Sequence, residues 1–105
     1  MKKILILSFL ISMPINASAN STHAKKYGTC AGLAAAALEY SSGLGDYITW
    51  KMKASSVKSK ASAAGLTKYD LEQPKRVAFQ AVETNDEQYR FAAAATRFHN
   101  ANCDD

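Results

Sequence analysis

Apolar residues recur at alternating steps of three and four along most of the chain, which is the spacing of one face of an α-helix. This pattern predicts a first helix over residues 24–42 and a second over residues 46–64. A third is expected from Gln73 to an interruption at Thr84, and a fourth over residues 86–100. No segment alternates with a period of two, so the pattern predicts an all-α fold.

Capping residues and glycines mark the ends of the second and fourth predicted helices. Asp46 is expected to cap the start of the second helix, because a side-chain oxygen at that position can accept from free backbone N–H groups. Gly65 is expected to end the same helix, with Leu66 folding back onto it. Asn85 is expected to begin the fourth helix.

Pro74 sets the expected start of the third helix. Proline fits the first turn of a helix but not its middle, because it lacks the N–H that interior positions donate. Residues 67–73 are therefore predicted to form a connector.

Four antiparallel helices joined by short loops would bury the four apolar stripes in a small bundle. The stripe of the first helix consists of alanines and Gly32, and such small residues let a neighbouring helix approach closely. Bulky aromatic side chains are expected to supply the missing core volume: Tyr47, Trp50, Phe79, Phe91 and Phe98. A groove or a dimer seam on the first helix is the alternative.

The first nineteen residues are typical of a secretory signal peptide. Lys2 and Lys3 precede an apolar run over residues 4–11, and the small residues Ala17-Ser18-Ala19 follow. We expect cleavage after Ala19, which leaves residues 20–105 as a single small helical domain. The alternative is an uncleaved membrane anchor, but the apolar run is shorter than the roughly 20 residues that span a bilayer. The Met-Lys-Lys start resembles bacterial leaders, so the predicted location is the periplasm or the exterior.

The chain has 105 residues, 48% of them apolar, and only two cysteines, Cys30 and Cys103. An exported protein meets oxidising conditions, so we predict a disulfide that joins the first helix to the C-terminal end. Closing the loop from Cys30 to Cys103 stabilises the folded state by roughly 4 kcal/mol in the chain-entropy model. The alternative is a reactive thiolate at Cys30 activated by His23 or His99, and nothing in the spacing favours it.

Charge divides the predicted mature chain into two halves. Residues 20–68 carry a net charge of +5 and residues 69–105 carry −3, for a total of +2. Lys51 and Lys58 fall on one flank of the second helix, and Lys53 and Lys60 fall on the other. These four lysines form a candidate binding face for an acidic partner or an anionic membrane. The alternative is a purely structural role. The lysines would then cover the edges of the buried stripe or pair with the acidic half of the chain.

No catalytic, metal-binding or phosphate-binding motif is present in the sequence, so we expect neither an enzyme, a metal site nor a cofactor. Nucleic acid is not an expected partner, because the mature charge is small and no recognition motif occurs. Four tyrosines are candidate aromatic anchors for docking on another protein, provided that they are exposed: Tyr40, Tyr47, Tyr69 and Tyr89.

These observations favour a small exported helical protein that binds another envelope or extracellular protein, for example as an inhibitor or immunity factor. A periplasmic stress chaperone and a membrane-surface protein are the alternatives, and a homodimer stays open. The plan of a leader followed by a stapled helical domain is similar to that of periplasmic acid-stress chaperones, of periplasmic immunity proteins and of small phage proteins that block lysozyme. The similarity is limited to this overall organisation, and no residue motif of those proteins is transferred to this chain.

Overall fold

A computed structural model describes the backbone of residues 2–105 and the side chains of residues 21–105. The described chain forms four α-helices and contains no strand, which confirms the predicted all-α fold. The helices are α1 (Lys2–Glu39), α2 (Leu44–Ala63), α3 (Lys68–Glu83) and α4 (Arg90–Asn100), and a 3₁₀ turn at Glu87–Tyr89 precedes α4. The side chains of the predicted signal peptide, residues 1–19, lie outside the described ones, and its cleavage stays a prediction. Among the described residues, no helix is long and apolar enough to cross a bilayer.

Helix α1 is the centre of the bundle. Helices α2, α3 and α4 all pack on α1, whereas α3 and α4 contact each other only slightly. Because α1 has neighbours on several sides, most of its side chains from residue 30 to residue 37 are buried. The predicted helical bundle is confirmed, with one central helix and three around it.

Two glycines on α1 allow close contact with α3. A Cβ atom on Gly28 would overlap the ring of Pro74, and one on Gly32 would overlap the backbone carbonyl oxygen of Lys75. Gly28 and Gly32 are one helical turn apart, so they lie on the same face of α1. The missing side chains bring the α3 backbone directly against the backbone of α1.

Aromatic side chains fill the space on the other side of α1. The ring of Trp50 on α2 lies edge-on to Phe98 and Phe91 on α4, with centroid distances of 5.0 Å and 6.2 Å. Phe98 and Trp50 are buried, as predicted from their place in the apolar stripes. The prediction that Tyr47 belongs to the core is wrong, because its side chain is 43% exposed.

Helix α3 begins at Lys68, five residues earlier than predicted, so the expected connector over residues 67–73 is wrong. Thr67 is the N-cap: its hydroxyl accepts from the backbone N–H of Asp70, and the Asp70 carboxylate accepts from the backbone N–H of Thr67. This reciprocal capping starts the helix ahead of Pro74. Pro74 therefore lies inside α3, where its ring packs on Gly28.

The end of α2 follows the prediction, whereas the start does not. Gly65 adopts a left-handed φ of 80°, and the backbone N–H of Leu66 donates to the Ala61 carbonyl at 3.0 Å. This is the Schellman arrangement, in which the chain folds back on the last helical turn. The expected cap at Asp46 is wrong, because α2 begins two residues earlier, after Gly43, and leaves Asp46 in its first turn.

The start of the fourth helix also differs from the prediction. Asn85 does not cap α4, because its side-chain amide donates to the carbonyl oxygens of Ala81 and Val82 at the end of α3. The chain then passes through the 3₁₀ turn before α4 begins at Arg90. Asn85 thus ends one helix instead of beginning the next.

Cys103 is brought to α1 by a second Schellman turn. Asn102 adopts a left-handed φ of 57°, and the backbone N–H of Cys103 donates to the Phe98 carbonyl at 3.2 Å. Cys103 is bonded to Cys30, with their Cα atoms 5.5 Å apart. The disulfide between the first helix and the C-terminal end is present as predicted.

Candidate docking surface

The outer side of α2 carries an apolar face that no part of the described structure covers. Leu44, Ile48 and Met52 are 74%, 49% and 68% exposed, and Tyr47 lies beside them. Steps of four residues place the first three side chains on one side of the helix. The core-facing side of α2 carries the buried residues Trp50, Val57 and Ala61. We call Leu44, Tyr47, Ile48 and Met52 the α2 apolar face.

This face is unusual for its concentration of apolar side chains. Seven large apolar side chains are exposed among those described, and four of them belong to the α2 apolar face. Single exposed apolar residues are ordinary, whereas a contiguous group is a candidate contact surface. Further along the same side of α2 the residues are the exposed Ser55, Ser59 and Ser62, so the apolar face ends at Met52.

A cluster around Tyr40 holds the loop that precedes α2. The Tyr40 hydroxyl donates to the Glu83 carboxylate at 3.2 Å, and its ring contacts Phe79 at a centroid distance of 6.2 Å. The guanidinium of Arg90 lies 5.3 Å from the centre of the same ring. Partial burial of the hydroxyl, and after it the hydrogen bond to Glu83, raise the pKa of Tyr40 above its ordinary value of 10.0. Tyr40 therefore joins the ends of α1 and α3 and is not a free anchor.

The other candidate tyrosines are exposed but lie apart. Tyr47 belongs to the α2 apolar face, and Tyr89 lies in the 3₁₀ turn with 57% of its surface exposed. Because the helices alternate in direction, Tyr47 and Tyr89 lie at one end of the bundle. Tyr69, 81% exposed, lies at the other end, in the first turn of α3. The structure does not bring the four tyrosines into one surface.

The four candidate lysines divide into two pairs. Lys53 forms an ion pair with Asp104 at 2.8 Å, and Lys60 donates to the backbone carbonyls of Asp104 and Asp105 at 3.2 Å and 3.0 Å. Lys53 and Lys60 thus hold the tail that follows Cys103. Such exposed ion pairs contribute little stability, about 0–1 kcal/mol each.

Lys51 and Lys58 remain on the solvent side of α2. Neither has a carboxylate within ion-pair distance among the described side chains. At 100° per residue they lie roughly 60° and 80° around the helix from Ile48, on one flank of the α2 apolar face. The Lys51 ammonium lies 5.8 Å from the centre of the Tyr47 ring. The face therefore has an apolar centre and a positively charged edge.

Leu44, Ile48 and Met52 are not among the candidate residues predicted from the sequence. Their four-residue spacing is visible in the sequence, but α2 carries a second apolar stripe through Trp50 and Val57. Only the contacts with α1 and α4 decide which stripe is buried. Helix periodicity alone cannot rank two stripes on the same helix.

Groups of acidic, histidine or cysteine side chains that could hold a metal ion are absent from the described part of the chain. His23 lies beside Tyr27, with a centroid distance of 6.3 Å, and His99 is exposed in the last turn of α4. Cys30 and Cys103 are bonded to each other, so neither is a free thiolate in this structure. Comparison with protein-family models, with curated proteins and with solved structures finds no match.

Proposed function

We propose that this chain is a small exported binding protein whose α2 apolar face docks on another protein of the cell envelope or the exterior. The observation that carries the proposal is the exposure of Leu44, Ile48 and Met52 on one side of a helix whose other side carries the buried Trp50, Val57 and Ala61. Three apolar side chains at steps of four match the way an amphipathic helix occupies a groove on a partner. The disulfide is typical of proteins outside the reducing cytoplasm, and it supports export.

The charges beside the face indicate the chemistry of the partner. Lys53 and Lys60 are bound to the chain's own tail, whereas Lys51 and Lys58 are free to meet an outside group. An apolar groove with an acidic edge would be complementary to this arrangement. A scaffold held by a disulfide loses little conformational freedom on binding, which suits an inhibitor or immunity factor.

The first test is site-specific photocrosslinking in the intact envelope. A photoreactive residue in place of Met52 should give one adduct of defined mass, and the same residue in place of Ser62 should not. Ser62 is a matched position because it is exposed on the same side of α2, beyond the apolar face.

The second test is quantitative and uses the partner captured in the first. Ile48→Glu should weaken the complex at least about tenfold, because truncating a central apolar contact costs about 2 kcal/mol or more. Ser59→Glu adds the same charge on the same side of the helix and should change Kd by less than about twofold. Both positions are exposed, so both variants should keep the helical circular dichroism of the parent.

Three outcomes contradict the proposal. Equal affinity of the two variants would remove the α2 apolar face from the interface. An adduct between two copies of the chain would make the surface a homodimer contact. Sedimentation with phosphatidylglycerol vesicles that is lost in Ile48→Glu, without a protein adduct, would assign the face to a membrane.

A further inference from the structure

Charge is distributed unevenly between the two ends of the bundle. Because the helices alternate in direction, residues 21–29, 58–70 and 97–105 share one end, where α3 starts and where α2 and α4 stop. These residues carry six basic and three acidic side chains, a net charge of +3. The opposite end, residues 36–47 and 83–90, carries five acidic side chains and one basic, a net charge of −4. We call them the basic end and the acidic end.

Contacts between the helices bring the three segments of the basic end together. Lys25 and Asp70 border the same depression between α1 and α3. Lys60, near the end of α2, donates to the backbone carbonyl of Asp104 in the tail that follows α4. The disulfide fixes the same tail to α1. The positive charges therefore lie around one end of a single packed unit.

Most of the basic side chains at this end are free. Five are exposed and have no carboxylate within ion-pair distance among the described side chains: Lys25, Lys26, Lys58, Lys68 and Arg97. Two of the three acidic side chains are already engaged, since Asp70 accepts from Thr67 and Asp104 pairs with Lys53. The basic end therefore presents uncompensated positive charge to the solvent.

The positions of the free cations favour a surface with many anionic groups over one small anion. The five cations are distributed over all four helices. Packed helix axes are about 8–10 Å apart, so these side chains start from separate points around the end. A single phosphate or carboxylate is ordinarily held by paired donors in one place. A bilayer surface instead offers separate phosphates to separate lysines, as it does for polybasic segments next to membranes.

An exposed aromatic side chain at the basic end also fits a bilayer surface. Tyr69 follows Lys68 in the first turn of α3 and is 81% exposed. Tyrosine is enriched where membranes meet water, because its ring is apolar and its hydroxyl is polar. Among the described residues, Tyr69 is the only large apolar side chain listed as exposed at this end. A protein partner would ordinarily need a larger apolar centre than one ring.

We propose that the basic end binds the surface of a bilayer rich in anionic phospholipid. The free lysines and Arg97 contact the lipid phosphates, Tyr69 lies at the level of the headgroups, and the acidic end points away. The predicted leader, residues 1–19, immediately precedes this end, so the bundle emerges next to a bilayer during export. The proposal is independent of the proposed docking function, because it uses none of the four residues of the α2 apolar face.

The first test is sedimentation of the full chain with lipid vesicles at about 0.1 M salt. Phosphatidylglycerol vesicles should bind it about tenfold more tightly than phosphatidylcholine vesicles, because each basic residue near an anionic surface adds about fivefold. Lys68→Glu should weaken binding to phosphatidylglycerol about tenfold, because it removes one such contribution and adds a repelled charge.

Lys51→Glu is the matched control for charge. Lys51 is exposed and free of ion pairs like Lys68, so both variants lose the same two units of charge. Lys51 lies about 18 Å along α2 from Ala63, the last residue of that helix, which is beyond the Debye length of about 10 Å. Lys51→Glu should therefore change vesicle binding by less than about twofold.

A fluorescent reporter tests which end faces the lipid. Tyr69→Trp and Tyr89→Trp place the same ring at exposed positions of the basic end and of the acidic end. Trp50, the only tryptophan of the parent, is buried and gives a constant background. Emission of Tyr69→Trp should shift to shorter wavelength with phosphatidylglycerol vesicles, whereas emission of Tyr89→Trp should not.

Four results would overturn the proposal. The first is no sedimentation with phosphatidylglycerol vesicles, whatever acidic protein the same end captures, and the second is equal affinity for the two lipids. The third is equal weakening by Lys68→Glu and Lys51→Glu. The fourth is loss of vesicle binding in Ile48→Glu, which would assign the lipid contact to the α2 apolar face.

Discussion

Gly28 and Gly32 show how single residues set the distance between α1 and α3. Neither has space for a methyl group, because Pro74 and the carbonyl of Lys75 occupy the positions that a Cβ would take. Glycine in a helix interior costs about 0.5–1 kcal/mol relative to alanine. The close contact that these glycines permit offsets that cost, since it buries Ala78 against α1.

Gly32→Ala is expected to lower the free energy of unfolding by about 2 kcal/mol, because overpacking a tight interface costs about 1–3 kcal/mol. The new methyl group would overlap the Lys75 carbonyl and lie 2.9 Å from the Cβ of Ala78. Urea denaturation followed by circular dichroism measures the change. Gly45→Ala is the control: nothing lies within 4 Å of its Cβ position, so it should leave stability unchanged or raise it. Equal effects of the two substitutions would contradict this account of α1.

Only part of this contact could be predicted from the sequence. The run of small residues around Gly32 indicates a close neighbour, and that prediction is confirmed. The role of Gly28 could not be predicted, because it depends on Pro74, which is far away in the chain. The packing role of a glycine within a helix cannot be inferred until the residue that packs against it is known.

At the scale of whole elements, α3 depends on the cap at Thr67. Its hydroxyl and the Asp70 carboxylate satisfy N–H groups that the first turn would otherwise leave without partners. The cap also explains how a helix with an interior proline begins so early. The stop at Gly65 and Leu66 could be predicted from adjacent residues, whereas the starts predicted at Asp46 and Asn85 are wrong. The tolerance of Pro74 rests on its contact with Gly28.

Thr67→Ala is expected to lower the free energy of unfolding by about 1 kcal/mol, the usual cost of losing an N-cap. Thr67→Ser keeps the hydroxyl and should retain most of that stability. Thr96→Ala serves as the control, because Thr96 is exposed within α4 and caps no helix. Denaturant midpoints of the four proteins measure the effect. If Thr67→Ala and Thr96→Ala shift the midpoint equally, the capping explanation is wrong.

For the molecule as a whole, the disulfide is the strongest tie between α1 and the C-terminal end. It closes a loop of 73 residues, whereas the ion pair of Lys53 with Asp104 is exposed. Part of the charge difference between the two halves of the chain is thus neutralised within the molecule, by the pairing of Lys53 with Asp104. Pairing of the lysines within the molecule was one of the alternatives left open by the sequence. It could not be predicted, because it depends on where α4 ends relative to α2.

Replacing both Cys30 and Cys103 with serine should lower the free energy of unfolding by about 4 kcal/mol, the value expected for a loop of this size. That is a large part of the 5–15 kcal/mol typical of a small domain. Asp104→Asn, which removes only the ion pair, should cost less than about 1 kcal/mol. Urea denaturation measures both changes, and alkylation under denaturing conditions should find no free thiol in the parent protein. Two alkylatable thiols, or a serine variant as stable as the parent, would contradict the prediction.

The turn at Asn102 also bears on how the bond between Cys30 and Cys103 is made. The left-handed φ of Asn102 and the hydrogen bond from the Cys103 N–H to the Phe98 carbonyl are local to the end of α4. Once α4 packs on α1, the two thiols therefore meet at a high effective concentration, as reactants held in a single molecule. With only two cysteines in the chain no wrong intramolecular pair exists. Maturation thus requires an electron acceptor and no isomerase.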